Sequence, residues 1–358
     1  MKRMTPLIVG GGPAGAAAAI ALARGGARPL LLERHAEPYD SLCGGFLGWD
    51  ALRRLATIGI DTARLGARPV DRLRLVAGDR MVERALPGIA AGLSRRTLDA
   101  ALIEAAGAAG AAIERGVTVR EAAGAGQLRL GDGTLVETDA LFLATGKREL
   151  RGLARPRAAT DDPAVGLRLR LGPIPALDGL IELHIFERGY AGLLRQEDGS
   201  TNVCLSVSRS RLDEAGGRPE QLLASLAGGS ARFADRLSAP ALSPFQAVAA
   251  IPYGWRASHG VSGLFRLGDQ AGVIASLAGD GVAIALSSGW TAADAWLAGG
   301  ASAAPEWQRR FARRLAGPLG TSELLRRFAQ RRPQRMLQLA GVAPWLIGLA
   351  AGATRIDH

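Results

Sequence analysis

"PLIVGGGPAGAAAAIALARGGARPLLLE", residues 6–33, decides the fold. "PLIVG" is a short apolar run of strand length, "PAGAAAAIALARGG" an alanine-rich helix ended by glycines, and "RPLLLE" a second strand. Between the first strand and the helix stands Gly10-x-Gly12-x-x-Gly15. In such a β-α-β unit the first glycine permits the turn, the second lets a pyrophosphate approach the backbone, and the third lets helix pack closely on strand. The helix N-terminus offers that phosphate unpaired N–H groups and the positive end of its dipole. Glu33 ends the second strand at the spacing of an acid that accepts hydrogen bonds from an adenosine ribose. A lone glycine fingerprint says little. Strand before, helix after and acid at the right distance make it a dinucleotide cradle.

The same stretch imitates an export signal, with a charged start and a long uncharged run of small residues. The imitation fails on "GGGPAG", which would break an export helix in its middle. The expected location is therefore cytoplasmic. Cys43 and Cys204 are the only cysteines among 358 residues, which suits a reducing compartment. Neither has the neighbours that a metal site needs, so no metal is expected. The formal net charge is +11, but lysine occurs only at positions 2 and 147, so nearly all the positive charge is arginine. Without zinc-finger spacing or an RNA-binding signature, that charge reads as a solvated arginine-rich surface rather than a nucleic-acid site.

Along the chain, "LSRRTLDAALIEAAGAAGAAI" (93–113) has helical spacing and carries Arg95 and Arg96 at its start. "VETDALFLATGK" (136–147) reads as one buried strand running into Ala144-Thr145-Gly146. From about residue 165, "VGLRLRL", "LIELHIF", "YAGLLRQ" and "TNVCLSVS" alternate polar and apolar positions with turns such as "EDGS" between them, the pattern of an antiparallel sheet. "GLFRLGDQAGVIASLAGDGVAIALSSGWTAADAWL" (263–297) returns to strand, glycine turn and helix. Asp269 there would project at the sheet edge where ligands bind, and a helix starting near Gly281 would aim its N-terminal dipole into the same crevice.

These motifs together resemble a known family. "GGGPAG" with Glu33, "FLATGK" and "GDQAGVIASLAGDGVAIALSSG" look like the FAD-binding motifs of the glutathione-reductase-type flavoproteins. Within these they are most similar to the geranylgeranyl reductase family, relatives of the flavin monooxygenases. The resemblance implies bound FAD. It implies a cradle of Gly10, Gly12, Pro13, Ala14, Gly15, Glu33 and Arg34, with Arg95 lying along the cofactor and Ala144, Thr145 and Gly146 beside it. Gly268 and Asp269 would meet the ribityl-phosphate region, with Gly279, Gly281 and Val282 facing the isoalloxazine ring. The family also carries a cysteine-glycine motif against the flavin, which "LCGGFLGW" resembles. That would put Cys43, Gly44 and Gly45 at the ring, and Cys43 could serve as a proton donor.

The chain departs from the family pattern in its substrate region. The aromatic stretch typical of prenyl reductases is represented only by Tyr190, in "RGYAGLLRQ". Tyr190 is thus a candidate for cavity and catalysis, and Tyr253 and Trp255 of "IPYGW" are weaker substrate candidates. The histidine, proline and asparagine that aromatic hydroxylases carry are represented by Gln270, Ala271 and Ser276. No second GxGxxG is present, so electrons would come from NAD(P)H bound transiently, from ferredoxin or from another protein donor. His35, His184, His259 and His358 are scattered, and His184 reads as a satisfied strand histidine.

The expected architecture is α/β: a Rossmann-type FAD-binding domain (1–70, 91–160 and 256–300) interrupted by an antiparallel β-sheet substrate domain (71–90 and 161–255), with a helical C-terminal region (301–358). In that tail Trp307, Phe311 and Leu315 recur at helical spacing among arginine pairs, and Pro344 and glycines make "MLQLAGVAPWLIGLAAGATR" a poor spanning helix. The tail is expected to cap the substrate cavity, with peripheral contact at the inner membrane face as the alternative. The expected activity is FAD-dependent reduction of a C=C bond in an apolar, prenyl- or polyketide-like substrate. The alternatives are a monooxygenase or dehydrogenase of secondary metabolism, and an electron-transfer flavoprotein serving a quinone or protein partner.

Overall fold

The computed structural model describes residues 5–156, 160–343 and 345–356. Lys2, Pro344 and His358, named above, lie outside them. The opening unit forms as read: β1 (Leu7–Val9), α1 (Pro13–Arg24) and β2 (Leu30–Glu33). β3 (Phe46–Leu47), α2 (Trp49–Thr57), β4 (Arg68–Ala77) and β5 (Arg80–Gly92) follow, then α3 (Arg95–Ala108) and β6 (Ala112–Arg115). The span 93–113 is therefore a helix and an edge strand rather than one helix. Gly110, at φ +105, turns the chain after α3 so that β6 pairs in parallel with β2.

A second expectation also divides. Residues 136–147 do not make one strand. β7 (Val119–Ala123), β8 (Gln127–Leu130) and β9 (Leu135–Glu137) form a small antiparallel sheet, and β10 (Leu141–Leu143) starts afresh in another. Thr138 separates them, its hydroxyl donating to the Thr5 carbonyl at 3.0 Å and accepting from the Ala140 N–H at 3.1 Å.

The remaining elements are β11 (Ala164–Leu171), β12 (Gly179–Phe186), β13 (Gly189–Arg195), β14 (Thr201–Ser208), α4 (Arg209–Glu214), α5 (Pro219–Gly228) and α6 (Ala231–Leu237). After these come β15 (Gln246–Ile251), β16 (Leu264–Arg266), α7 (Gly281–Gly299), α8 (Ala304–Arg331), α9 (Pro333–Val342) and α10 (Trp345–Ala353). Five strands make a parallel sheet in the order β16-β10-β1-β2-β6. Its central strands are short and apolar because both faces are covered: Ile8, Leu31, Phe142 and Phe265 pack among the helices, and Leu7, Val9, Leu32 and Leu143 pack against Ala122 and Leu128 of the small β7–β9 sheet. The chain leaves β1 toward β2 on one side and later returns to β10 on the other, so the crevice between them is where such sheets bind ligands. Ten residues of α1, Pro13 to Leu22, are buried, and their small side chains let α7 cross α1 closely.

Eight strands make the second sheet, ordered β15-β11-β14-β13-β12-β4-β5-β3. Its junctions are antiparallel except β4 with β12, which is parallel. Leu75, Leu183 and Ile185 from this sheet pack with Leu337 and Ala340 of α9. On α8, Trp307, Phe311 and Leu315 are buried, with Trp307 stacked on Phe311 at 5.3 Å between ring centroids. Arg309 and Arg310 point outward and pair with Glu306. The apolar stripe read in the sequence is thus the docking face of α8.

Candidate functional site

The glycine fingerprint acts through contact distances. Gly10 has φ +106, and a Cβ there would stand 2.4 Å from the Ala144 carbonyl oxygen, so only glycine lets the β1 and β10 turns lie side by side. Gly12 caps α1 without a side-chain hydrogen bond, leaving the first-turn N–H groups for another acceptor. A Cβ on Gly12 would lie 3.1 Å from the Arg95 guanidinium. Uncapped N–H groups, a helix dipole and an arginine thus converge on one spot, the donor set that a pyrophosphate requires.

Asp99, one helical turn after Arg95, holds that guanidinium by two hydrogen bonds of 2.8 and 2.7 Å. Burial opposes the charge on Arg95, but Asp99 outweighs it and raises the arginine's pKa above its ordinary value. The sequence reading missed Asp99, although its i,i+4 spacing from Arg95 was visible.

Across the crevice, Gly268 turns β16 into Asp269, whose carboxylate accepts from Lys147 Nζ at 3.1 Å. Burial alone would raise the Asp269 pKa, yet Lys147, with Arg155 and Arg95, holds it below the usual range. Asp269 in turn raises the Lys147 pKa, partly offset by burial. Lys147 was legible only as one of two lysines in an arginine-rich chain. An anionic Asp269 beside the crevice can accept from a ribityl hydroxyl. Asp269→Ala is expected to weaken FAD binding at least about tenfold, consistent with loss of a charge-assisted hydrogen bond. Flavin absorbance retained after gel filtration measures it.

These groups open into one cavity of about 640 Å³. Gly12, Pro13, Ala14, Arg95, Ala144 and Gly146 line its first end, followed by Gly268, Asp269, Gly279, Gly281 and Val282. Cys43 and Gly44 close over this part, and Tyr190 and Tyr253 stand farther along. Gly10, Gly15, Glu33, Arg34, Gly45 and Thr145 are not among the residues that line this cavity. The Glu33 carboxylate accepts from the Gly11 N–H at 2.7 Å and from the His35 N–H at 2.9 Å, which ties β2 to the glycine turn. Burial, then Arg148, lowers the Arg34 pKa. The Thr145 hydroxyl donates to the Arg148 carbonyl at 2.8 Å. Trp255 also stands outside the wall, with Arg155 over its ring at 5.5 Å.

The loop carrying Cys43 is pinned from below. Arg168, buried on β11, bonds Asn202 Oδ1 at 2.6 Å, the Asp40 carbonyl at 3.2 Å and the Asp40 carboxylate. Asn202 donates to the Cys43 carbonyl at 2.9 Å, and Cys43 Sγ accepts from the Gly45 N–H at 3.5 Å. Among the described residues, a Cβ added at Gly44 or Gly281 would meet nothing within 4 Å. Bare backbone therefore faces the cavity from both sides, with room for a flat ring. The uncapped helix, Arg95, Asp269 and these glycines fit FAD.

Beyond the glycines the wall becomes apolar. Alternate residues of the second sheet face it, including Leu75, Ile181, Leu183 and Ile185, with Leu325 and Phe328 of α8 opposite. A polar node interrupts it: the Tyr253 hydroxyl lies 2.9 Å from Ser276 Oγ and donates to Ser206 Oγ at 3.2 Å, and Thr321, Ser322, Thr354 and Arg355 also line the cavity. Among the described residues the buried Tyr190 hydroxyl has no hydrogen-bond partner, and burial, then Tyr253, pushes its pKa well above the ordinary value. Burial also pushes the Cys204 thiol up to about 12. His184 is on the opposite face of β12. Its Nε2 lies 3.0 Å from Glu182, which also binds Arg236 and Arg74, so it is a satisfied strand histidine. Among the described residues no cluster of His, Cys, Asp or Glu could hold a metal.

A family model described as the FAD binding domain matches residues 3–134. No curated protein matches the sequence. Solved structures match over nearly the whole chain. A flavoprotein/dehydrogenase from Cytophaga hutchinsonii has TM-score 0.80 at 17% identity, covering 98% of this chain and 93% of that one. The flavin-dependent brominase Bmp2 has TM-score 0.78 at 15% identity, covering 99% and 94%. PqsL from Pseudomonas aeruginosa, a probable FAD-dependent monooxygenase, has TM-score 0.75 at 19% identity, covering 94% and 99%. Residues 3–134 thus resemble an FAD binding domain, and the fold over nearly the whole chain is the one these flavoproteins have.

Proposed function

We propose that this protein is an FAD-dependent monooxygenase acting on an apolar small molecule. The observation that carries the reading is one continuous cavity, polar where it meets the FAD cradle and mainly apolar beyond it. The likeness in fold to PqsL and Bmp2 supports oxygen chemistry over the C=C reduction that the geranylgeranyl reductase resemblance implies. When bound, FAD supplies electrons to dioxygen. The balance is substrate, O₂, two electrons and two protons giving hydroxylated substrate and water, with a reduced nicotinamide or a reduced protein as electron donor.

This chain's own residues have three tasks. Arg95, the α1 N-terminus and Asp269 hold the cofactor. Leu183, Ile185, Leu325 and Phe328 exclude water and enclose the substrate's apolar body. Tyr253, with Ser206 and Ser276, orients a substrate oxygen or nitrogen and can relay a proton to it. The reductive reading keeps one supporting observation: Cys43, a free cysteine in the wall, stands where a proton donor to an alkene carbon would be needed.

The deciding experiment reduces the FAD-loaded protein anaerobically in the presence of apolar aromatic and isoprenoid compounds, then admits ¹⁸O₂. One ¹⁸O atom in the product supports monooxygenation. A product gaining two hydrogens before oxygen is admitted supports reduction and rejects the proposal. Leu325→Trp is expected to raise KM for the accepted compound at least about tenfold by filling the chamber, with flavin content unchanged. Steady-state kinetics against flavin absorbance reads both.

A further inference from the structure

The corner between α9 and α10 presents a surface that the catalytic reading leaves unused. Val342 is 81% exposed and Trp345 64%, with Leu339 and Leu349 also exposed beside them. The two helices meet at 113°, and among the described residues no single helix is long and apolar enough to cross a membrane. The corner is an apolar projection at a sharp bend between two short helices. Such a cluster on a protein surface marks an interaction site.

Two further observations identify its partner. Residues 324–356 contain six arginines and no acidic residue. Arg326 and Arg327 pair with Glu323, and the buried Arg355 with Asp50 and Asp280, which leaves Arg331, Arg332 and Arg335 exposed along the approach to the corner. The second observation is continuity with the cavity: Leu339 and Leu349 are exposed and also line it, so they form its rim. Apolar side chains at the tip with arginines behind them match the acyl and headgroup layers of an anionic bilayer in order of depth. A second copy of the chain fits less well, because a two-fold contact would set these arginines against each other.

We propose that the α9–α10 corner docks on an anionic membrane surface, so that an apolar substrate passes from the bilayer past Leu339 and Leu349 into the cavity. The substrate route rests on the apolar-substrate reading above, whereas docking is measured without turnover. The full-length FAD-loaded protein is mixed with vesicles of phosphatidylcholine alone, or of phosphatidylcholine with phosphatidylglycerol, and the bound fraction is read by flotation. The expected result is binding to the phosphatidylglycerol vesicles that weakens as salt is raised.

Arg331→Glu with Arg335→Glu is expected to weaken partitioning at least about tenfold, given the usual contribution of each basic residue near an anionic surface. Val342→Asp with Trp345→Asp, which leaves every arginine in place, is expected to do the same. Flavin content and melting temperature verify that each variant is folded. No binding to either vesicle overturns the proposal, as does binding that both variant pairs leave unchanged. Self-association abolished by the same substitutions, without vesicle binding, assigns the corner to a second copy instead. If vesicles bind as expected while the ¹⁸O₂ experiment fails, only the catalytic reading falls.

Discussion

Gly15→Ala is expected to destabilise the protein by more than about 3 kcal/mol and to yield protein without flavin absorbance. A Cβ at this position would stand 2.0 Å from the Gly10 carbonyl oxygen and 3.1 Å from Ala144 Cβ and Ile8 Cγ2. All three belong to β1, β10 and the turns that follow them, the middle of the parallel sheet. The helix cannot back away, because α7 blocks it from the other side. There a Cβ on Gly289 would stand only 2.1 Å from the Ala14 carbonyl oxygen. The strain must therefore displace the turn whose N–H groups serve the cofactor. Chemical denaturation and the visible spectrum measure the two effects. Gly317→Ala is the control: it lies in α8 with nothing within 4 Å of its Cβ, and helix propensity predicts a gain of up to about 1 kcal/mol. Equal behaviour of the two variants would reject the steric account.

Arg355→Ala is the second substitution with a large expected effect. Arg355 Nη1 lies 3.0 Å from Asp50 Oδ2 and 2.8 Å from Asp280 Oδ1, and its guanidinium sits 3.5 Å from the centroid of the Trp49 ring. The Thr354 hydroxyl donates to Asp280 at 3.1 Å. All three charged side chains are buried. Removing the arginine leaves the buried Asp280 carboxylate without a counter-charge and Asp50 with only the largely exposed Arg53, which costs about 3–5 kcal/mol. It also frees the end of the C-terminal segment from α2 and from the start of α7.

The same clasp makes stability depend on pH. Burial raises the Asp280 pKa to about 7, against the pull of Arg355 and with reinforcement from Asp50. In the unfolded chain an aspartate titrates near about 3.9. Between about pH 4 and about pH 7 the folded protein holds a proton that the unfolded chain has lost. Stability from this group therefore falls as pH rises through that window, by up to about 1.4 kcal/mol per unit, and levels off above it. Asp280→Asn is expected to remove this fall. Denaturation midpoints at a series of pH values give the slope, and an identical slope in the variant would refute the assignment to Asp280.

Much of the cofactor end was legible because its chemistry is local. Strand, glycine turn and helix follow one another within Pro6–Glu33, and each glycine does its work within a few residues or against one adjoining turn. The apolar alternation of β11 to β14 was equally plain, since side chains on successive strand residues point to opposite faces. Mistakes fell at boundaries, where a turn residue rather than a change of pattern divides two elements. Gly110 after α3 and Thr138 before β10 are the two cases.

By itself, the sequence determined the dinucleotide cradle, the order of α/β and β-rich segments, and the apolar stripe of α8, because periodicity and close contact along the chain specify these. Which face of β12 meets the cavity was decided by tertiary structure, which turns Leu183 inward and sends His184 to Glu182. So was the pinning of the Cys43 loop by Arg168 and Asn202, and the meeting of Arg355 with Asp50. Partners so far apart in sequence leave no periodic trace. Only folding supplies the buried surroundings in which their charges must be paired.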